Sequence, residues 1–91
     1  MKYHALRVCA NRGAFEAVPA EPVQLDLQRV RGGFELEGIQ VLDCRVMLIA
    51  QMEREVTVGR DGRILIKSTN GPEAERLLQH VEAVLASAAA P

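Results

Sequence analysis

Near the end of the chain, apolar residues recur at three- and four-residue steps: Ala74, Leu77, Leu78, Val81, Val84, Leu85 and Ala88. That spacing puts them on one face of a helix, with Glu75, Arg76, Gln79, His80 and Glu82 on the other. Asn70-Gly71-Pro72-Glu73 marks the start: Asn70 can accept a backbone N–H, Glu73 can reach back, and Pro72 is tolerated in the first turn. The pattern predicts a helix over about 72–87, with 86–91 as a frayed tail. Upstream, the period changes to two. Strands at about 55–59 and 63–68 flank Gly59-Arg60-Asp61-Gly62, where Asp-Gly supplies the positive φ of a tight hairpin. Alternation in Val23-Gln24-Leu25-Asp26-Leu27 and Phe34-Glu35-Leu36-Glu37 predicts a second hairpin, with strands at about 23–31 and 34–40 around Gly32-Gly33. A further strand at about 3–10 ends at Asn11-Arg12-Gly13, after which Pro19 and Pro22 keep the connection irregular.

The stretch from Val41 to Met52 admits two readings. As a strand over about 42–52 it places Leu42, Cys44, Val46, Leu48, Ala50 and Met52 on one apolar face. Val41, Met47 and Ile49 then share the other face with Asp43, Arg45 and Gln51. Leu, Met, Ala, Gln and Glu pull by propensity toward helix, and the strand is favoured on pattern. The fold class expected is α+β: a mainly antiparallel sheet with the C-terminal helix packed on one face, in a single domain over 1–91.

Composition narrows this. Ninety-one residues bury only roughly 60–65% of the surface the unfolded chain exposes. The hydrophobic share is 48% but aromatics are 3%, namely Tyr3, Phe15 and Phe34, so aliphatic side chains must build the core. A core that small is often completed by a second copy, and a homodimer is expected. A net charge of −1 gives no global attraction to phosphate or anionic lipid. No apolar run reaches the ~18–20 residues of a membrane helix, and no signal core follows Met1-Lys2-Tyr3-His4, so a cytoplasmic protein without a membrane partner is expected. Two cysteines, Cys9 and Cys44, read as free thiols in a reducing compartment.

Candidate chemistry is sparse. His4, Cys9, Cys44 and His80 include no pair at metal-ligand spacing, and no metal or cofactor is expected. Cys44 falls on the apolar strand face, where burial would make it inert, whereas Cys9 shares a strand side with Tyr3, Ala5 and Arg7 and is the candidate reactive thiol. Both glycine pairs sit in turns between strands, so neither cradles a phosphate. Arg54, Arg60, Arg63 and Lys67 surround the 55–68 hairpin and could contact an anion, but no aromatic partner accompanies them and Glu53, Glu55 and Asp61 lie among them. Nucleic-acid binding is disfavoured on that ground.

The run Val56-Thr57-Val58-Gly59-Arg60-Asp61-Gly62-Arg63-Ile64-Leu65-Ile66-Lys67-Ser68-Thr69, followed by Glu73-Ala74-Glu75-Arg76 and the helix, resembles the C-terminal strand-DGR-strand-helix tail of adenylyltransferases that activate ubiquitin-like sulfur carriers. The resemblance covers residues 56–85. No strand–glycine loop–helix unit precedes it, so the nucleotide-binding part of that family has no counterpart here. What the resemblance implies is an accessory domain of the kind appended to sulfur or cofactor metabolism, not adenylation, and it transfers no functional residue.

The function expected is therefore a non-enzymatic accessory or interaction domain that self-associates through a sheet edge or free sheet face, with Val41, Met47 and Ile49 as the contact surface. The alternatives are a small-molecule or metal-handling protein using Cys9 with Arg7 or His4, and a weak nucleic-acid binder using the basic hairpin. Biological process, ligand and partner identity, and strand order are not encoded in any pattern described above.

Overall fold

The computed structural model describes residues 3, 7–9, 13–68 and 70–89, with residues 7–9, 88 and 89 described by their backbone alone. The chain runs β1 (Arg7–Cys9), β2 (Ala14–Ala17), α1 (Leu27–Leu36), β3 (Gln40–Asp43), β4 (Met47–Gln51), β5 (Glu55–Gly59), β6 (Ile64–Ile66) and α2 (Gly71–Ala89). The strands form one antiparallel sheet in the order β1-β2-β6-β5-β4-β3, and both helices pack on the same face. The α+β class, the antiparallel sheet and the C-terminal helix covering one face agree with the sequence pattern.

α2 is the element the periodicity located. Ala74, Leu77, Leu78, Val81, Val84 and Leu85 are all buried. Asn70 caps the first turn by accepting the Glu73 N–H through Oδ1 at 3.0 Å. Glu73 reaches back one step further than expected: it accepts from Ser68 Oγ at 2.7 Å, and that same oxygen accepts the Asn70 N–H at 3.1 Å. The Ser68 hydroxyl and then Arg54 hold the Glu73 carboxyl below the usual carboxylate range. The helix continues to Ala89, past the expected end at 87, because the alanine-rich tail is itself helix-forming.

Three strand expectations are corrected. The hairpin expected over 23–31 and 34–40 is instead α1. Asp26 caps it by accepting the Gln28 and Arg29 N–H groups, and Gly38 at φ +76° closes it, with Gly38 N–H bonded to the Glu35 carbonyl and Ile39 N–H to that of Phe34. Leu27, Val30 and Phe34, at steps of three and four, face the core. Second, β2 occupies Ala14–Ala17, where an irregular connection was expected, and inserts between β1 and β6. Third, the strand expected over 42–52 is two strands folded on a turn at Cys44–Val46. The turn brings both halves into the sheet, where β3 pairs with β4 and β4 with β5. Of the first strand, expected over 3–10, residues 7–9 form β1 and Tyr3 bridges to Pro19, while 4–6 and 10 lie outside the described residues.

The core lies between the sheet and the two helices. Leu48, Ala50, Val56, Val58, Ile64 and Ile66 supply the sheet side, and among the described residues Phe34 is the only aromatic ring that is fully buried. Among the described residues, no buried side-chain nitrogen or oxygen lacks a hydrogen-bond partner.

Candidate functional site

Because both helices cover one face of the sheet, the other face is open. Register places Leu42, Ile49, Thr57, Leu65 and Glu16 in one row across β3, β4, β5, β6 and β2 on that face. Beside the row, Val46 and Met47 at the tip of the β3–β4 hairpin floor an open concavity of about 430 Å³ with Thr57 and Leu65, rimmed by Arg60 and Arg63. The large apolar side chains left exposed among the described residues are Leu36 (91%), Leu42 (59%), Val46 (57%) and Met47 (37%), and all belong to the α1–β3–β4 side of the molecule.

The hairpin tip is strained. The Val46 N–H donates to the Cys44 carbonyl at 2.8 Å around Arg45, whose φ is +70°. This is the γ-turn with a positive central φ, a rare conformation for a residue with a side chain. Asp43 steadies it by accepting the Arg45 N–H through Oδ1 at 2.8 Å. That bond, followed by one from the Gln28 side-chain amide, holds the Asp43 carboxyl below its ordinary range. The turn presents Val46 to solvent.

Of the expected contact residues, Met47 and Ile49 lie on the open face. Val41 does not: it pairs with buried Ala50 and packs partly buried against the core under α1. The turn inverts the alternation, so residues that share a face in a straight strand separate in the hairpin. Cys44 is likewise exposed at the turn instead of buried in a strand face.

The basic hairpin is largely neutralised. Arg54 meets Glu73 at 2.9 Å, Lys67 meets Glu55 at 3.1 Å, and Arg63 lies 3.7 Å from Asp61 and 4.0 Å from Glu16. Arg60 has no carboxylate partner among the described residues and donates to the Arg45 carbonyl at 3.3 Å. Arg60 and Arg63 share the rim of the concavity, and Arg54 and Lys67 are held by Glu73 and Glu55. His80 is exposed and hydrogen-bonded to Glu37. In backbone register, Arg7 stands opposite Glu16 and Cys9 opposite Ala14, with their side chains outside the description; His4 lies outside the described residues altogether. Among the described residues no group of three or more His, Cys, Asp or Glu side chains is arranged to hold a metal ion, and no helix is long and apolar enough to cross a membrane.

The chain matches no protein-family model, and neither a curated protein nor a solved structure matches it at a significant level.

Proposed function

We propose that this chain is a non-enzymatic accessory or interaction domain that works by self-association, with the α1–β3–β4 side as its contact region. The observation that carries this reading is the grouping of Leu36, Leu42, Val46 and Met47 on that side, beside a sheet face that no helix covers. Exposed apolar side chains scattered singly need no explanation, whereas a cluster on one side marks a surface that is covered in use. The strained turn at Arg45 supports it, since backbone strain persists where surrounding structure and function hold it in place. The resemblance of residues 56–85 to the tail of sulfur-carrier adenylyltransferases supports an accessory role and adds no catalytic residue.

Native mass spectrometry from low to high micromolar concentration tests the reading directly. A dimer population that grows with concentration is expected. A chain that stays monomeric throughout would overturn it.

A second reading, small-molecule binding, is favoured by the concavity at Val46, Met47, Thr57 and Leu65 with Arg60 on its rim. Its volume falls within the range of ligand pockets, and Arg60 would take the anionic end of an apolar molecule. A retained small mass in the same spectrum would support it. The Cys9 version of this reading requires a thiol that reacts faster than free cysteine at neutral pH, which thiol titration of a Cys44→Ser protein would measure.

A further inference from the structure

Resting on the self-association reading, we infer that two copies join edge to edge through β3, antiparallel about a two-fold axis at Val41, with their α1 helices crossing above the seam at Gly32.

β3 ends the sheet order, so among the described residues one of its sides is unpaired. The Cys44 N–H donates to the Met47 carbonyl. By the alternation of an antiparallel ladder, Leu42 and Gln40 also turn their backbone groups toward β4, and Val41 and Asp43 turn theirs outward. Gln40-Val41-Leu42-Asp43 carries neither the lysine nor the proline nor the bulge that commonly blocks edge pairing. A two-fold pairing with Val41 opposite Val41 uses these outward groups. It keeps both helix layers on one side and sets the two exposed Leu42 side chains diagonally across the seam on the open face.

The surface of α1 fits the same axis. Gln28 and Arg31 reach Asp43 at 2.9 and 3.7 Å, which fixes the flank of α1 that overhangs β3. One residue on, Gly32 has nothing within 4 Å of where a Cβ would stand, so this flank is flat. α1 packs over β3 and β4, and with strands ~4.8 Å apart the two α1 axes would lie about 10 Å apart, a normal helix-packing distance. The charges interleave as well. Arg29 and Arg31 precede Gly32 and Glu35 follows it, with no acidic residue in the first turn and no basic residue in the last. That order opposes the helix dipole within one chain. Between two antiparallel copies crossing at Gly32, residues three before and three after the glycine meet, so Arg29 of each faces Glu35 of the other, which also meets Arg31 of its own helix at 3.4 Å.

The test is charge reversal with cross-complementation, read by native mass spectrometry or sedimentation. Both positions are exposed on a helix, and far-ultraviolet circular dichroism checks that each variant is folded. Arg29→Glu alone and Glu35→Arg alone should each weaken self-association, by about tenfold or more given two reversed pairs per dimer. Mixing the two variants should restore a one-to-one heterodimer. Thr57→Lys, in the middle of the open face on β5 and away from β3, should leave the dimer intact. If the natural chain dimerises but the single reversals dimerise equally well, edge pairing is overturned and self-association by another surface survives. Weakened variants that do not recover on mixing, or a dimer lost on Thr57→Lys, overturn it too. A natural chain that never dimerises overturns both readings together.

Discussion

Tyr3 is the only tyrosine in the chain, so its ionisation can be followed by itself. Its hydroxyl donates to the Gly62 carbonyl at 2.6 Å and ties the start of the chain to the β5–β6 turn, where Gly62 adopts φ +87°. Burial, and then the negative charges of Glu82 and Asp61, push its pKa up to about 12. The folded value lies above the unfolded one of about 10, so this contribution is complete below pH 10 and is lost as pH rises through 12. Ultraviolet titration of the phenolate should give a midpoint near 12 in the folded protein and near 10 in denaturant; equal midpoints would show that Tyr3 is not buried beside Glu82 and Asp61. Pattern alone does not reveal this bond, because its partners stand 59 positions apart.

α1 and α2 show how differently two helices of one chain can be read. α2 announces itself through an unbroken apolar stripe and a cap. α1 carries the matching signals, Asp26 before Leu27 and Gly38 before Ile39, yet Gly32-Gly33 at its centre weakens helix propensity and invites a turn. The two glycines have different reasons to be there. A Cβ at Gly33 would stand 3.0 Å from Val84 Cγ1 of α2, whereas a Cβ at Gly32 would meet nothing. Gly32→Ala should therefore stabilise the dilute protein by about 0.5–1 kcal/mol in urea denaturation. Gly33→Ala should fall below Gly32→Ala, because a helical valine holds one χ1 rotamer and yields little. Equal gains from both would mean that the close approach of the helices at Gly33 is not real.

At the scale of the whole molecule, the aliphatic core turns on one ring. Phe34 is fully buried between sheet and helices, while Tyr3 and Phe15 pack against the core only partly buried. Phe34→Ala should cost about 3–5 kcal/mol, a large part of the ~5–15 kcal/mol that holds a domain together. Urea denaturation checks this, and a loss below about 1 kcal/mol would remove Phe34 from the core. If the two-fold arrangement holds, the unfolding midpoint will also rise with protein concentration, because association acts only on the folded chain.

By itself, the order of residues determined what depends on near neighbours: the amphipathic stripe and Asn70 cap of α2, the Asp-Gly hairpin of β5 and β6, and an aliphatic core within an α+β class. Tertiary structure decided the rest, and the reason is the same in each case. Asp26-to-Gly38 alternates well enough for a strand, and becomes a helix because Val30 and Phe34 bury against the sheet and Gly33 fits against α2. Ala14–Ala17 has little strand propensity, and becomes a strand because β1 and β6 pair with it. The turn at Arg45 has no glycine to announce it, and forms because Asp43, Gln28 and Arg31 hold it and both halves find pairing partners in the sheet. Its parity inversion sent Val41 to the core and left Leu42 and Met47 exposed. Where local preference is divided, burial and pairing with distant segments choose, and here they also chose which apolar side chains are left exposed.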